Sequence, residues 1–295
     1  MAASAAVSLV VFLFVFVFTF AHAQDQPASW AQPQKPVRIF GNTWYVGTRG
    51  LSAILITSPT GAVLIDGAVR EAASDIASNI TSLGVRLEDI KLIVNSHAHN
   101  DHAGAIAELQ RRTGATVAAL PWSAEALRSG RKHQGDPQFE SPTSPPDRVA
   151  NVKTIQDGEV LRAGGVEVTA HKTAGHTPGG TTWTWRSCEE NRCVDIVYAD
   201  SLTAVSADGF RFTDNKTYPQ AIDDFNKGYA FLRSASCDIL VTPHPEASDF
   251  WGRIAKRDAG ERDALIDRSQ CARYADRADA QLQKRLATER AERPK

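Results

Sequence analysis

The chain lacks an excess of charge of either sign, has few cysteines, and has no long apolar run beyond its first residues. Each shortage excludes something. Thirty-three Lys and Arg against 34 Asp and Glu leave a formal net charge of −1 over 295 residues. No global basic field exists to attract nucleic acid. After Phe20 no segment is long and apolar enough to span a bilayer. No low-complexity tract or short-period repeat occurs, which excludes solenoids. The four cysteines contain no C-x-x-C spacing, which argues against thiolates as metal ligands. The remaining composition, 42% hydrophobic and 23% charged, is that of a globular chain able to bury a substantial core.

The N-terminus reads as an export signal. Val7 to Phe20 is almost wholly apolar, too short for a membrane span, and is followed by the small-x-small triplet Ala21-His22-Ala23. Cleavage is expected after Ala23, giving a periplasmic protein with no stable membrane association. An uncleaved anchor is the alternative, because Met1 to Ala6 carries no Lys or Arg. Residues 24–36, polar and Pro-containing, are expected as a flexible lead-in, and 37–295 as a single domain. Cys188 and Cys193 flank the polar stretch Glu189-Glu190-Asn191-Arg192 between two β-like runs, the pattern of a hairpin closed by a short bridge. Cys237 then pairs with Cys271. In the chain-entropy treatment the long loop contributes about 4 kcal/mol and the short one about 2.

The first half alternates strand and helix. Strands are expected within 37–47, 51–58 and 62–65, at 91–94 and at 116–119, with helices at 70–83 and 103–112. A Pro-rich surface loop, 131–149, follows. Strands are then expected at 152–155, 166–171, 181–185, 194–198 and 238–241, with helices at 220–233 and 263–293. Two β-then-α halves imply two packed sheets with helices outside, and functional side chains on loops at strand ends.

Ser96-His97-Ala98-His99-Asn100-Asp101-His102-Ala103-Gly104 places three His and one Asp within six residues, at a strand-to-helix junction. Side chains at i and i+2 of an extended segment point the same way, so His97 and His99 can share one cation. Asp101 and His102 lie past the turn and can face a second. Imidazole and carboxylate suit zinc. Completing each half-site needs distant residues. His176, after Ala174-Gly175, and His244, between Pro243 and Pro245, both follow expected strands and have the right placement. His171 falls inside a strand and reads as a core or surface residue. His133 reads as a solvated loop residue, and the 131–149 loop, with Gln138, is expected to border the site.

With these segments in view, the chain resembles the metallo-β-lactamase superfamily, and most of all subclass B3. The matching pieces are Leu64-Ile65-Asp66-Gly67, the 97–104 block, Ala174-Gly175-His176-Thr177-Pro178-Gly179, Tyr198-Ala199-Asp200-Ser201-Leu202-Thr203 and Thr242-Pro243-His244-Pro245. The resemblance implies an α/β fold, a four-layer αβ/βα sandwich of two mixed β-sheets with outer helices. It implies two zinc ions, one held by His97, His99 and His176 and the other by Asp101, His102 and His244. It implies hydrolysis of the β-lactam amide of antibiotics by a dizinc-bound hydroxide that Asp101 orients, with β-lactams as small-molecule partners. Ser201 and Thr203 would hold the substrate carboxylate, with Thr at 203 where Ser is commoner. Asp66 would steady the ligand loop, and the Cys237–Cys271 bridge has a family counterpart. The chain is expected to act as a monomer.

The main rival is a dizinc thioester or lactone hydrolase resembling glyoxalase II, in which an Asp at the Asp200 position bridges the metals. The Asp-Ser-Leu-Thr context and the export signal favour a buried supporting role for Asp200 instead. A zinc-storage protein would need saturated coordination. A nuclease of the same superfamily would need a basic surface.

Overall fold

The computed structural model describes residues 26–292. The expected export signal lies outside them. Among the described residues no helix is long and apolar enough to cross a membrane.

The first half lays down β1 (Val37–Phe40), β2 (Thr43–Tyr45), β3 (Ile54–Ser58) and β4 (Gly61–Ile65), then α1 (Ala73–Ser82), β5 (Ile90–Val94), α2 (Asn100–Ala103), α3 (Ile106–Thr113), β6 (Thr116–Ala119), α4 (Pro121–Ser129) and β7 (Val152–Thr154). The second half adds β8 (Val160–Ala163), β9 (Val166–Lys172), β10 (Thr181–Glu189), β11 (Arg192–Tyr198), α5 (Ala221–Ser234), β12 (Ile239–Val241), α6 (Phe250–Asp258) and α7 (Gln270–Ala291). The strands form a seven-stranded sheet in sequence order, β1 to β7, and a five-stranded sheet ordered β12-β11-β10-β9-β8. Both are mixed. β1 to β4 are antiparallel and β4 to β7 parallel, while β12 runs parallel to β11 beside an antiparallel set.

Side-chain alternation explains the layers. Ile54, Ile56, Val63 and Ile65 turn inward to Val168, Ala170, Trp183 and Tyr198 of the other sheet. Leu55 and Leu64, one residue out of phase, meet the outer helices through Ile76, Ile80, Ile106 and Leu109. Strands buried on both faces read as continuous apolar runs. On the far side, Val197 and Leu240 pack under Phe225 and Tyr229 of α5 and Leu282 of α7. The result is the αβ/βα sandwich the sequence implied.

Several boundaries differ from the expected ones. The hairpin strands β10 and β11 extend through the polar stretch, leaving only Glu190 and Asn191 as the turn, with Cys188 opposite Cys193 in register. Both disulfides, Cys188–Cys193 and Cys237–Cys271, are formed. The last helix starts at Gln270, not at 263. The Asp267 carboxylate takes the Ser269 N–H and hydroxyl and holds the preceding chain in turns. Residues 26–36 include a 3-10 turn at Ala28–Trp30 that is fastened to the body, where a flexible lead-in was expected.

β4, β5, β11 and β12 all end at one edge of the sandwich. The segments that follow them carry Asp66, His97 to His102, Asp200 to Thr203, and His244. The turn between β9 and β10 brings His176 to the same edge.

Candidate metal centre

Asp66 organises the edge. Its backbone adopts φ +60°, a left-handed conformation that Asp tolerates better than most residues. Its carboxylate accepts the Ser96 N–H at 2.7 Å, the Ser96 hydroxyl at 2.6 Å, Asn95 Nδ2 at 3.0 Å and the Tyr198 hydroxyl at 2.8 Å. Burial pushes the carboxyl up, and these donors pull it back. The chain leaving β5 is thereby held extended up to His97. α2 then begins, with His99 as its N-cap and its carbonyl accepting the Ala103 N–H at 2.8 Å. His97 and His99 sit on the extended lead, and Asp101 and His102 on the short helix.

His176 follows Gly175, whose φ of +135° favours glycine and where a Cβ would lie 2.4 Å from Phe225 Cδ1. His244 follows β12, and the loop is tied back by Thr242 Oγ1 donating to the His244 carbonyl at 2.6 Å.

These segments bring all six expected residues into one cluster. The His97 ring centroid lies 4.7 Å from that of His99, 4.4 Å from His102 and 4.8 Å from His176. His102 and His244 are 4.7 Å apart. His97, His99 and His176 present ligand atoms that all lie within 4.8 Å of one another, as do His97, Asp101 and His102. His244 joins the second set through Asp101, its Nε2 lying 3.3 Å from the carboxylate.

The outward nitrogens show which atoms are free for an ion. His97 Nδ1 donates to the buried Asp200 Oδ1 at 2.7 Å, and its Nε2 is buried without a partner. His176 Nδ1 donates to the Thr203 carbonyl at 2.9 Å. His99 Nε2 donates to Asp136 at 2.7 Å, which leaves Nδ1 as the free atom. Of the buried His102, Nδ1 has no partner, and Nε2 makes no well-directed hydrogen bond but lies 3.1 Å from the Asp101 carboxylate. Buried imidazole nitrogens left without partners are costly, and a cation would satisfy them. The donor set of imidazoles and one carboxylate fits zinc.

Electrostatics agree with that donor set. Burial, reinforced by the neighbouring imidazoles, keeps His97 neutral well below the usual histidine range and pushes His176 down to about 3. Burial pushes the Asp101 carboxyl up, but His102 and His244 outweigh it and hold it well below the ordinary value. His99 moves the other way, because Asp136 more than offsets its burial.

Among the other sequence candidates, Asp200 stands behind His97, on the opposite side of the ring from the free Nε2. Ser201 and Thr203 line a cavity of about 190 Å³ over the cluster, together with Trp30, Gln138 and Val205. Gln138 Nε2 lies 3.3 Å from His176 Nε2. His133 stays outside the cluster, accepting from Trp122 Nε1 at 3.1 Å. His171 is on β9, bonded to Thr184 and stacked on Phe231.

Two supporting contacts were not anticipated from the sequence. Asp136 sits in a Pro-rich loop where no spacing marks it, and the Thr203 contact is made by its backbone carbonyl, which no side-chain pattern reveals.

The profile of the metallo-beta-lactamase superfamily matches residues 46–189. MEM-A1, a subclass B3 metallo-beta-lactamase isolated from a soil metagenome library, is 49% identical with a TM-score of 0.87, and the match covers 90% of this chain and 100% of that one. The Rm3 metallo-beta-lactamase is 48% identical with a TM-score of 0.86 over 89% of this chain and 97% of its own. MIM-1 from Novosphingobium pentaromativorans is 40% identical with a TM-score of 0.83 over 92% and 97%. With such identity sustained over nearly all of both chains, and with the His-rich edge built as described, this chain belongs to the metallo-β-lactamase superfamily and is most like its subclass B3.

Proposed function

We propose that the protein is an exported hydrolase that opens the β-lactam ring of antibiotics with two zinc ions, and so confers β-lactam resistance. The observation that carries this reading is the convergence of six donors from one chain, four of which (His99, Asp101, His176 and His244) line one cavity. For three of the imidazoles, the other ring nitrogen is tied to a supporting acceptor. His97, His99 and His176 would hold one ion, and Asp101, His102 and His244 the other. Bound zinc supplies Lewis-acid polarisation of the carbonyl and lowers the pKa of coordinated water from 15.7 to about 7.

The chain's own groups do the rest. Asp101, kept ionised by His102 and His244, accepts a hydrogen bond and orients the attacking water. Ser201 and Thr203, on the cavity wall, donate to the substrate carboxylate. Asp200 and Asp136 hold their imidazoles in the tautomer that leaves a lone pair facing the site. The placement of Asp200 behind His97 disfavours a bridging carboxylate, and with it the glyoxalase II-like thioester or lactone hydrolase. The two disulfides support residence in an oxidising compartment such as the periplasm. A site complete within one chain supports a monomer, a single domain that takes in the fastened residues 26–36 together with 37–295, and the apolar run before Ala21-His22-Ala23 supports 1–23 as the signal.

The test is turnover of nitrocefin against a thioester by the purified zinc-loaded protein. Nitrocefin should be opened and the thioester left intact, with EDTA abolishing activity and zinc restoring it. Faster thioester turnover, or activity surviving full demetallation, would overturn the proposal.

Two substitutions check the supporting residues. Ser201→Ala should raise KM for penicillins and carbapenems about tenfold with kcat little changed, since it deletes one hydrogen bond to a charged group. Asp136→Ala should weaken zinc binding by about 10–100-fold in a chelator competition. Unchanged affinity would remove Asp136 from the site.

A further inference from the structure

The segment before β1 is fastened where it approaches the metal centre. The Pro27 carbonyl accepts the Trp30 N–H at 2.8 Å and closes the 3-10 turn. The Ser29 carbonyl accepts the Gly50 N–H at 2.9 Å, and the Gln32 carbonyl accepts the Arg49 N–H at 2.9 Å. The fit at Gly50 leaves no room for a side chain, because a Cβ there would lie 2.7 Å from Ser29 Oγ and 2.9 Å from the Ser29 carbonyl carbon. The loop that receives this strap also holds the His244 loop: Ser52 donates its N–H to the Pro243 carbonyl at 2.8 Å and its hydroxyl to the Thr242 carbonyl at 2.7 Å. The Trp30 ring rests against the His244 ring, with centroids 5.5 Å apart and planes tilted by 45°.

His244 needs such a support. His97, His99 and His176 each have one ring nitrogen fixed by an acceptor. Among the described residues His244 Nδ1 has no hydrogen-bond partner, and its side chain is 33% exposed where His97 and His102 are sealed. Its ring is located by Asp101 at Nε2, by the edge of His102, and by the indole of Trp30.

We propose that residues 26–32 are a built part of the site, in which Trp30 is a positioning residue that sets the His244 imidazole by packing. The Gly50 junction keeps the indole in place. The inference rests on the reading of His244 as a zinc ligand.

The experiment uses the full chain. Zinc affinities are measured by competition with a chromogenic chelator for wild type, Trp30→Ala, Trp30→Phe and Gly50→Ala, and the His244 ring resonances are followed by NMR in the metal-free protein. Trp30→Ala should weaken one zinc about tenfold, the lower end of the loss seen when a ligand's orienting partner is removed, and leave the other unchanged. Trp30→Phe should restore most of it, and Gly50→Ala should reproduce the loss with the indole still present. In the metal-free protein, Trp30→Ala should shift the His244 resonances and spare those of His97. Unchanged zinc affinities together with unmoved His244 resonances would overturn the inference. If wild type takes up only one zinc, the ligand reading of His244 fails, and the metal-free resonances alone then decide whether Trp30 positions the ring. Should Trp30→Ala not fold, Gly50→Ala carries the same comparison.

Discussion

His176→Ala should leave the protein with one zinc and almost no β-lactam turnover. Of the three atoms that converge on the first position, His97 Nε2, His99 Nδ1 and His176 Nε2, the substitution leaves two, and two imidazoles do not complete a zinc half-site. The loss in kcat/KM should exceed the roughly 100-fold ceiling that removing a mere orienting partner costs, because the ion itself is lost. His244→Ala should remove the other ion instead. Metal analysis after gel filtration, paired with nitrocefin kinetics, checks both. Two zincs retained in each variant would contradict the assignment. The His176 change should affect folding little, since the ring lines the cavity and its removal frees the Thr203 carbonyl and the Gln138 amide beside that cavity.

Asp66→Ala should act in the opposite sense, costing stability before chemistry. Its carboxylate satisfies four donors from three residues, all buried, and each orphaned donor costs about 1–3 kcal/mol less whatever the relaxing site recovers. Alanine at φ +60° adds backbone strain that aspartate bears more easily. A loss of about 3–5 kcal/mol is expected, at the upper end of single-residue effects. It is measured by urea unfolding in EDTA, so that bound metal does not mask it. Asp66→Asn keeps the left-handed preference and one acceptor oxygen and should lose less. A change below 1 kcal/mol for the alanine variant would mean that the 95–97 lead is held by something other than this carboxylate.

The six cluster residues were legible in the sequence because metal chemistry concentrates rare residue types at fixed offsets, and because strand signals preceded His97 and His244. The two sheets were legible through the apolar runs of β3, β4, β5 and β11. Other features left no such trace. α4 opens on Pro121 and is short, so its periodicity spans barely two turns. β8 has a single buried side chain, Leu161, and α6 hides its two apolar anchors, Phe250 and Ile254, among charges. The start of α7 was misplaced because the preceding charged turn keeps a helix-like composition until Asp267 diverts the backbone. The lead-in was read from polarity alone, whereas its attachment runs through backbone groups, which composition does not report.

The donors of the edge come from both sheets. His97, His99, Asp101 and His102 follow β5 of the larger one, while His176 and His244 follow β9 and β12 of the smaller. An ion bound there would rivet two layers that otherwise meet through apolar side chains and a few buried hydrogen bonds such as Tyr198 to Asp66 and Trp183 to the Asn95 carbonyl. Anything that binds the folded state alone adds to its stability, by about 2.7 kcal/mol at a hundred times its dissociation constant. Zinc starvation would therefore shorten the lifetime of the molecule itself, and a host that withholds the metal would be attacking the supply of the enzyme as well as its turnover.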